Sequence, residues 1–368
     1  MISLNNINLG KEEINNITHA ISKGELSGLY GSYVKEFEKR VALYCDKRYG
    51  VATTNCTSAI HLALLSLGIG KKDKVVVPSY TNIGTLLGVL YTGATPVFVD
   101  CDSSKLTVPH YLIKNKIYDK KVKAVIVVHM YGNPTELFSD GYYLDYKREI
   151  PIIEDCAEAM GAFDDYGKLV GSYGKISCHS FYATKMITTG GEGGMAITDK
   201  KVLADKMRYY SNMCYDKEER YKCNNVGYNY RMTNIQAAIG VAQMQKLTNN
   251  LTKKRQIHKL YKKLFKNIDG VRLQHHLDGS ACWMNCIMVD DYSIRDKIRE
   301  YLYIKGIQTG DVFTPLHMQP IVKTKDKCPN AESIYKKGFL LPSGIDLGNE
   351  QIWYIYDTLK EGIRRYGK

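Results

Sequence analysis

The stretch SFYATKMITTGGEGG, residues 180–194, sets a single lysine, Lys185, between an apolar run and a series of glycines. An amine in such a loop is either a solvated cation or a nucleophile toward a carbonyl, and the residues that gather around it decide which. In an open α/β sheet ligands sit beyond the carboxyl ends of the strands, so the residues that follow each apolar run are the candidates for chemistry. The segment IPIIEDCAEA ends on Glu154 and Asp155, SCHSFYATK ends on Ser180 with Lys185 five residues on, and VATTNCTSA enters an apolar helix through Thr57 and Ser58. A helix N-terminus offers unpaired N–H groups and the positive end of its dipole, which suits a phosphate. Together these residues supply an amine for an aldehyde, an anion to keep a ring nitrogen protonated, and an anchor for a phosphate, which is what pyridoxal phosphate chemistry requires. Taken singly, each has a plainer reading: loop lysines are usually solvated, and Asp or Thr-Ser before a helix usually caps it. Their joint occurrence favours the cofactor.

The elements that must position these residues alternate between α and β. Helical stretches are predicted at about 11–23 and 32–46, followed by a helix from Thr57 to Leu67 too apolar for a surface. Short β-branched runs come next, at Val75 to Val77, Pro96 to Val99, Ala124 to His129, Ile150 to Glu154, Ser177 to Tyr182 and Met195 to Thr198. Continuous apolar strands between helices predict a largely parallel sheet covered on both faces. From about residue 250 the pattern changes to a basic helix over 252–268, a strand near Trp283 to Val289, a helix with Ser293 as N-cap, and a final helix near 349–364. The reading is an α/β large domain, 1–249, and a smaller α+β domain, 250–368.

At 368 residues and 44% hydrophobic content the chain can bury a large core. No run reaches the roughly 20 apolar residues of a membrane helix, the start resembles no signal peptide, and the cytoplasm is the expected location. The ten cysteines lack CxxC pairs or zinc spacing and read as reduced thiols. No metal is expected. The net charge of +13 is spread along helix faces such as TKKRQIHKLYKKLFKNI, which reads as solvation and not as nucleic-acid binding. GKLVGSYGKIS fails the spacing of a phosphate loop, and His61 within AIHLAL reads as a core residue.

The runs SFYATKMITTGGEGGMAITD, IIEDCAEAMGA, GYNYRMTNIQAAIG and VPSYTNIGTLLGVLYTGATPVFVD resemble, in order, those of the DegT/DnrJ/EryC1/StrS sugar-nucleotide aminotransferases, and the similarity covers about residues 6–365. The resemblance implies the fold-type I aminotransferase fold and amination of C4 on a nucleotide-linked 4-keto-6-deoxyhexose, giving a perosamine- or viosamine-type sugar with L-glutamate as donor. It implies that Lys185 joins covalently to pyridoxal 5'-phosphate, Asp155 faces the pyridine nitrogen and Glu158, where many relatives have glutamine, meets O3'. Thr57, Ser58 and Ser180 would hold the phosphate, Asn229 would reach the neighbouring subunit's cofactor in a homodimer, and Arg231 and His317 would lie near the substrate.

Within the same fold, sugar 3-dehydrases carry histidine at the lysine position, so Lys185 favours transamination over dehydration. A C3-aminating enzyme and a non-catalytic regulator that keeps the fold are the alternatives; an intact Lys185 and Asp155 argue against the latter. Three places depart from the family pattern. The loop TTGGEGG is one glycine longer than usual, Asn82 stands where relatives place an aromatic ring, and Gly310 and Asp311 replace a common Arg-Pro.

Overall fold

The computed structural model describes residues 1–136, 150–216, 218–219 and 221–367. The described elements begin with helices α1 (Lys11–Ser22) and α2 (Ser32–Tyr44), strand β1 (Tyr49–Thr53), helix α3 (Cys56–Ser66), β2 (Lys74–Pro78), α4 (Ile83–Leu90) and β3 (Thr95–Val99). They continue through α5 (His110–Lys114), β4 (Val122–Val128), β5 (Ile152–Asp155), β6 (Ile176–Ser180), β7 (Gly194–Thr198), α6 (Lys201–Ser211) and α7 (Asn234–Leu264). The last are β8 (Val271–Leu273), β9 (Asn285–Val289), α8 (Arg295–Ile304), α9 (Pro329–Lys337), β10 (Gly338–Leu341) and α10 (Asn349–Tyr366).

Seven strands form one sheet in the order β1-β7-β6-β5-β4-β2-β3. Pairings from β3 across to β6 are parallel, while β7 runs antiparallel to both neighbours. The valine-rich β2 and β4 are buried on both faces apart from Lys74 and Lys123, the pattern of strands covered by helices on each side. This is the expected largely parallel sheet; β1, five residues with two small side chains, lies in it without a periodic signal in the sequence. The second sheet, β10-β9-β8, is antiparallel and packs its own core with α8, α10 and the end of α7.

Helix α3 is buried along nearly its whole length, as its composition predicts, and starts one residue earlier than expected because Asn55 caps it by accepting from Ser58 N–H at 2.9 Å. The basic helix expected over 252–268 is the second half of α7, which starts at Asn234. A reciprocal cap starts it: Thr233 accepts from Gln236 N–H, and the Gln236 side chain accepts from Thr233 N–H. Its first half, IQAAIGVAQ, is buried nearly all round and so lacks the amphipathic pattern of the second. The helix runs unbroken through residues 249 and 250. Ser293 does not cap α8: Asp291 accepts from the Ser293 amide and hydroxyl, a short 3-10 turn follows, and α8 begins at Arg295. An ionised carboxylate accepts more strongly than a hydroxyl, so the aspartate takes the capping place.

Candidate active site

Five residues singled out in the sequence line one cavity of about 310 Å³ at the carboxyl ends of the parallel strands: Thr57, Asp155, Glu158, Ser180 and Lys185. Asp155 closes β5. Its carboxylate accepts from Thr85 Oγ1 at 2.8 Å and from Ala157 N–H at 3.1 Å, so both oxygens are fixed in direction. Burial raises its pKa, and those two donors together with the Lys185 charge oppose the rise. Next to it in β5, Glu154 faces the other way. Burial alone would raise its pKa too, but bonds from His129, Gly174 and Gly171 hold it below the usual carboxylate value. Thr135 N–H donates to His129 Nδ1, so Nε2 carries the proton and donates to Glu154 at 3.2 Å. His129, Glu154 and Cys156 stand close enough to share an ion, yet these hydrogen bonds occupy them and pin the end of β5.

Lys185 sits in a loop closed on itself. Ala183 N–H donates to the Gly191 carbonyl, Phe181 N–H to that of Gly193, and Thr189 Oγ1 to that of Glu192 at 2.6 Å. Two glycines permit this closure. Gly190 has φ +98°, a region that favours glycine, and a Cβ on Gly193 would stand 2.0 Å from Thr189 Oγ1. The longer glycine run is thus accommodated by one left-handed residue. The Lys185 ammonium lies 3.2 Å from Glu158 Oε1 and 3.8 Å from the centre of the Trp283 ring, between an anion and a π face. Glu158 Oε2 accepts from Tyr131 N–H at 2.9 Å. Tyr131 is buried at φ +52°, a strained conformation for a tyrosine that turns its amide toward the glutamate. Burial raises the Glu158 pKa, opposed first by the Lys185 charge.

The phosphate end lies at the start of α3. Asn55 takes the Ser58 amide, which leaves the amides of Cys56 and Thr57 without a helical acceptor, beside the Thr57 and Ser180 hydroxyls on the cavity wall. A Cβ on Gly84 would stand 2.6 Å from Thr57 Oγ1, so α4 approaches this corner closely. Amine, acid and anion cradle therefore share one cavity whose volume falls at the lower end of small-molecule sites. The set fits pyridoxal phosphate: an amine for its aldehyde, a buried acid for its ring nitrogen, and amides with hydroxyls for its phosphate.

Other candidates lie off this wall. Ser58 is buried and its hydroxyl meets Thr54 Oγ1 at 3.2 Å. Arg231 donates to Asn212 Oδ1, and the exposed Asn229 pairs with Asn212 through the backbone. His317 bonds Ser79 Oγ at 2.6 Å and Glu332 Oε1 at 3.2 Å and is not among the residues lining the cavity. Asn82 does line the cavity, but its side chain caps α4 through Gly84 N–H; the aromatic surface comes from Trp283, Phe313 and Tyr182 instead. Sequence reasoning missed Thr85, Tyr131, Trp283 and Phe313. Only Trp283, one of two tryptophans and the first residue of a predicted strand, carried any local signal.

Residues 8–360 match the DegT/DnrJ/EryC1/StrS aminotransferase family. A GDP-perosamine synthase of Escherichia coli O157:H7 is 39% identical over 332 residues, 90% of each chain. The GDP-perosamine synthase of Vibrio cholerae is 33% identical over 339 residues, again 90% of each. Among solved structures, the aminotransferase TlmJ from Streptoalloteichus hindustanus aligns with a TM-score of 0.91 at 26% identity over 99% of both chains. With the fold, the lysine loop and the aspartate on β5 in place, this chain belongs to the DegT/DnrJ/EryC1/StrS aminotransferase family.

Proposed function

We propose that the protein moves an amino group from L-glutamate to C4 of a GDP-linked 4-keto-6-deoxyhexose, giving a GDP-perosamine-type product. The observation that carries this reading is the meeting of Lys185, Asp155 and Glu158 at the foot of one cavity beside the α3 N-terminus. The perosamine synthases named above support the sugar and the carbon. When bound, pyridoxal phosphate supplies an aldehyde that carries the amino group and a ring that stores the electron pair. Asp155, held by Thr85 and Ala157, would keep the ring nitrogen protonated, because a buried carboxylate needs a proton-bearing partner. Thr57, Ser180 and the first α3 amides would hold the phosphate. Glu158, which now pairs with the Lys185 ammonium, would accept a hydrogen bond from the ring hydroxyl. Lys185 Nζ then takes the proton from Cα of glutamate and, in the second half of the cycle, delivers one to C4 of the sugar.

Among the described residues, three carboxylates, Asp155, Glu158 and Glu192, line the cavity against one cation, Lys185. Binding a phosphate there calls for further donors, and the exposed Asn229 is free to supply one across a two-fold axis. The active unit is therefore a homodimer with shared sites. The division into 1–249 and 250–368 is proposed on the same footing, with α7 as the element common to both parts. The test is to incubate the protein with pyridoxal phosphate, L-glutamate and 4-keto-6-deoxyhexoses on GDP, UDP and dTDP, and to locate the new amine by NMR. Amination at C4 on the GDP sugar is expected; amination at C3 on every carrier, or none, overturns the reading.

A further inference from the structure

Helix α7 buries one lysine completely. Lys254 is 2% exposed, and no carboxylate lies within ion-pair distance of it among the described residues. Its three N–H bonds end on three neutral acceptors: Asn5 Oδ1 at 3.1 Å, the Trp283 carbonyl at 3.0 Å and the Ser343 carbonyl at 2.5 Å. An ammonium has three donors and no acceptor, so this set saturates it. Burial pushes the amine down to about 7, with Asp346 and Cys282 opposing the fall. A methionine would fill the same volume without the cost of burying a charge. The cation calls for a reason.

The three acceptors lie in separate parts of the chain: the segment before α1, the residue two before β9, and the residue two after β10. Two of them converge again. Because Lys254 occupies Asn5 Oδ1, the amide nitrogen of Asn5 is turned to the Thr184 carbonyl, at 2.8 Å. Trp283 Nε1 donates to that same carbonyl, also at 2.8 Å, and its ring lies against the Lys185 ammonium. Thr184 immediately precedes Lys185. Lys254 and Lys185 also share the wall of one narrow cavity, which no carboxylate lines among the described residues.

We propose that Lys254 is a positioning residue for Lys185: it orients Asn5 and Trp283 so that their two donors grip the Thr184 carbonyl and present the Lys185 amine to the cavity. No other side chain reproduces this. The planar fork of arginine cannot satisfy three acceptors that converge on one point, and glutamine has two donors on a shorter stem. Without the ammonium, Asn5 can turn over, since the two ends of its amide have nearly the same shape. The functional meaning rests on reading Lys185 as the reactive amine; the geometry does not.

The test uses the full chain, freed of bound cofactor with hydroxylamine and carrying Trp353→Phe, so that Trp283 is the only tryptophan. Acetylation of Lys185 by acetic anhydride is timed by mass spectrometry, and Trp283 emission is recorded. With Lys254→Met, Lys185 labelling should quicken about fivefold or more, the equivalent of one lost hydrogen bond, and the emission should shift. Lys259→Met, an exposed position on the same helix, should match the background. Asn5→Ala should raise labelling less, and adding it to Lys254→Met should change nothing further, because Lys254 acts through Asn5 and Trp283. Background labelling and emission in folded Lys254→Met overturn the proposal. If that variant does not fold, background values in Asn5→Ala overturn it. The labelling needs neither substrate nor cofactor, so a failed product assay would sink the sugar reading and leave this result standing.

Discussion

At the residue scale, the proposed chemistry depends on one amine and one buried acid. Lys185→Ala should lower amino transfer by at least about 10³-fold, since it removes the group proposed to move the proton. Borohydride reduction of the loaded wild-type protein should leave the pyridoxyl mass on the peptide spanning Phe181 to Met186, and its appearance elsewhere would refute the assignment. Thr85 is a quieter test of the same chemistry. Thr85→Val keeps the shape but strips a donor from a fully buried carboxylate, and it should cost about 1–3 kcal/mol in urea unfolding. A loss below about 0.5 kcal/mol would mean that Asp155 does not rely on that bond.

At the element scale, the site is held by where helices begin. Asn55 caps α3 and thereby chooses which amides remain for an anion, while Thr233 and Gln236 start the long helix that carries Lys254. Thr233→Ala should lower stability by about 1 kcal/mol, measured by thermal unfolding, with less effect on transfer than any change at Lys185 or Asp155. A change in regiochemistry from that substitution would show that α7 shapes the substrate pocket directly. Much of this level was legible. Apolar strands and the nearly all-apolar α3 stand out in the sequence because burial on every side favours apolar residues. The start of α7 did not, since a buried half and an amphipathic half of one helix follow different patterns.

At the scale of the whole molecule, two expectations follow. If the proposed homodimer shares its sites, mixing Lys185→Ala with Asn229→Ala chains should restore about a quarter of wild-type activity, because half the dimers are mixed and one of their two sites is then intact. No restoration would exclude a shared site. The second concerns acid. His61 and His179 are buried, each with one ring nitrogen that has no hydrogen-bond partner among the described residues, and burial pushes both down to about 4. The folded value lies below the unfolded one, so the unfolded chain takes up the proton first; their contribution is complete above pH 6.5 and is lost as pH falls toward 4. Between pH 7 and pH 5, His61→Gln should reduce the fall in urea-unfolding free energy by about 2 kcal/mol relative to wild type. Equal falls would show that His61 is already charged or solvated.

The sequence by itself determined the fold class and the order of the chemical groups, because the carboxyl ends of the parallel strands point to the same edge and local pattern is enough to find them. It named Lys185, Asp155, Glu158, Thr57 and Ser180, which share one wall. Only the tertiary structure decided which hydroxyl turns inward, placing Thr57 on the wall and Ser58 against Thr54, since that depends on how a buried helix is rotated. It alone brought Trp283 and Phe313 to a lysine about a hundred residues away, and set Lys254 behind them. Such contacts follow from how two sheets pack around a shared helix, and periodicity along the chain carries no record of that.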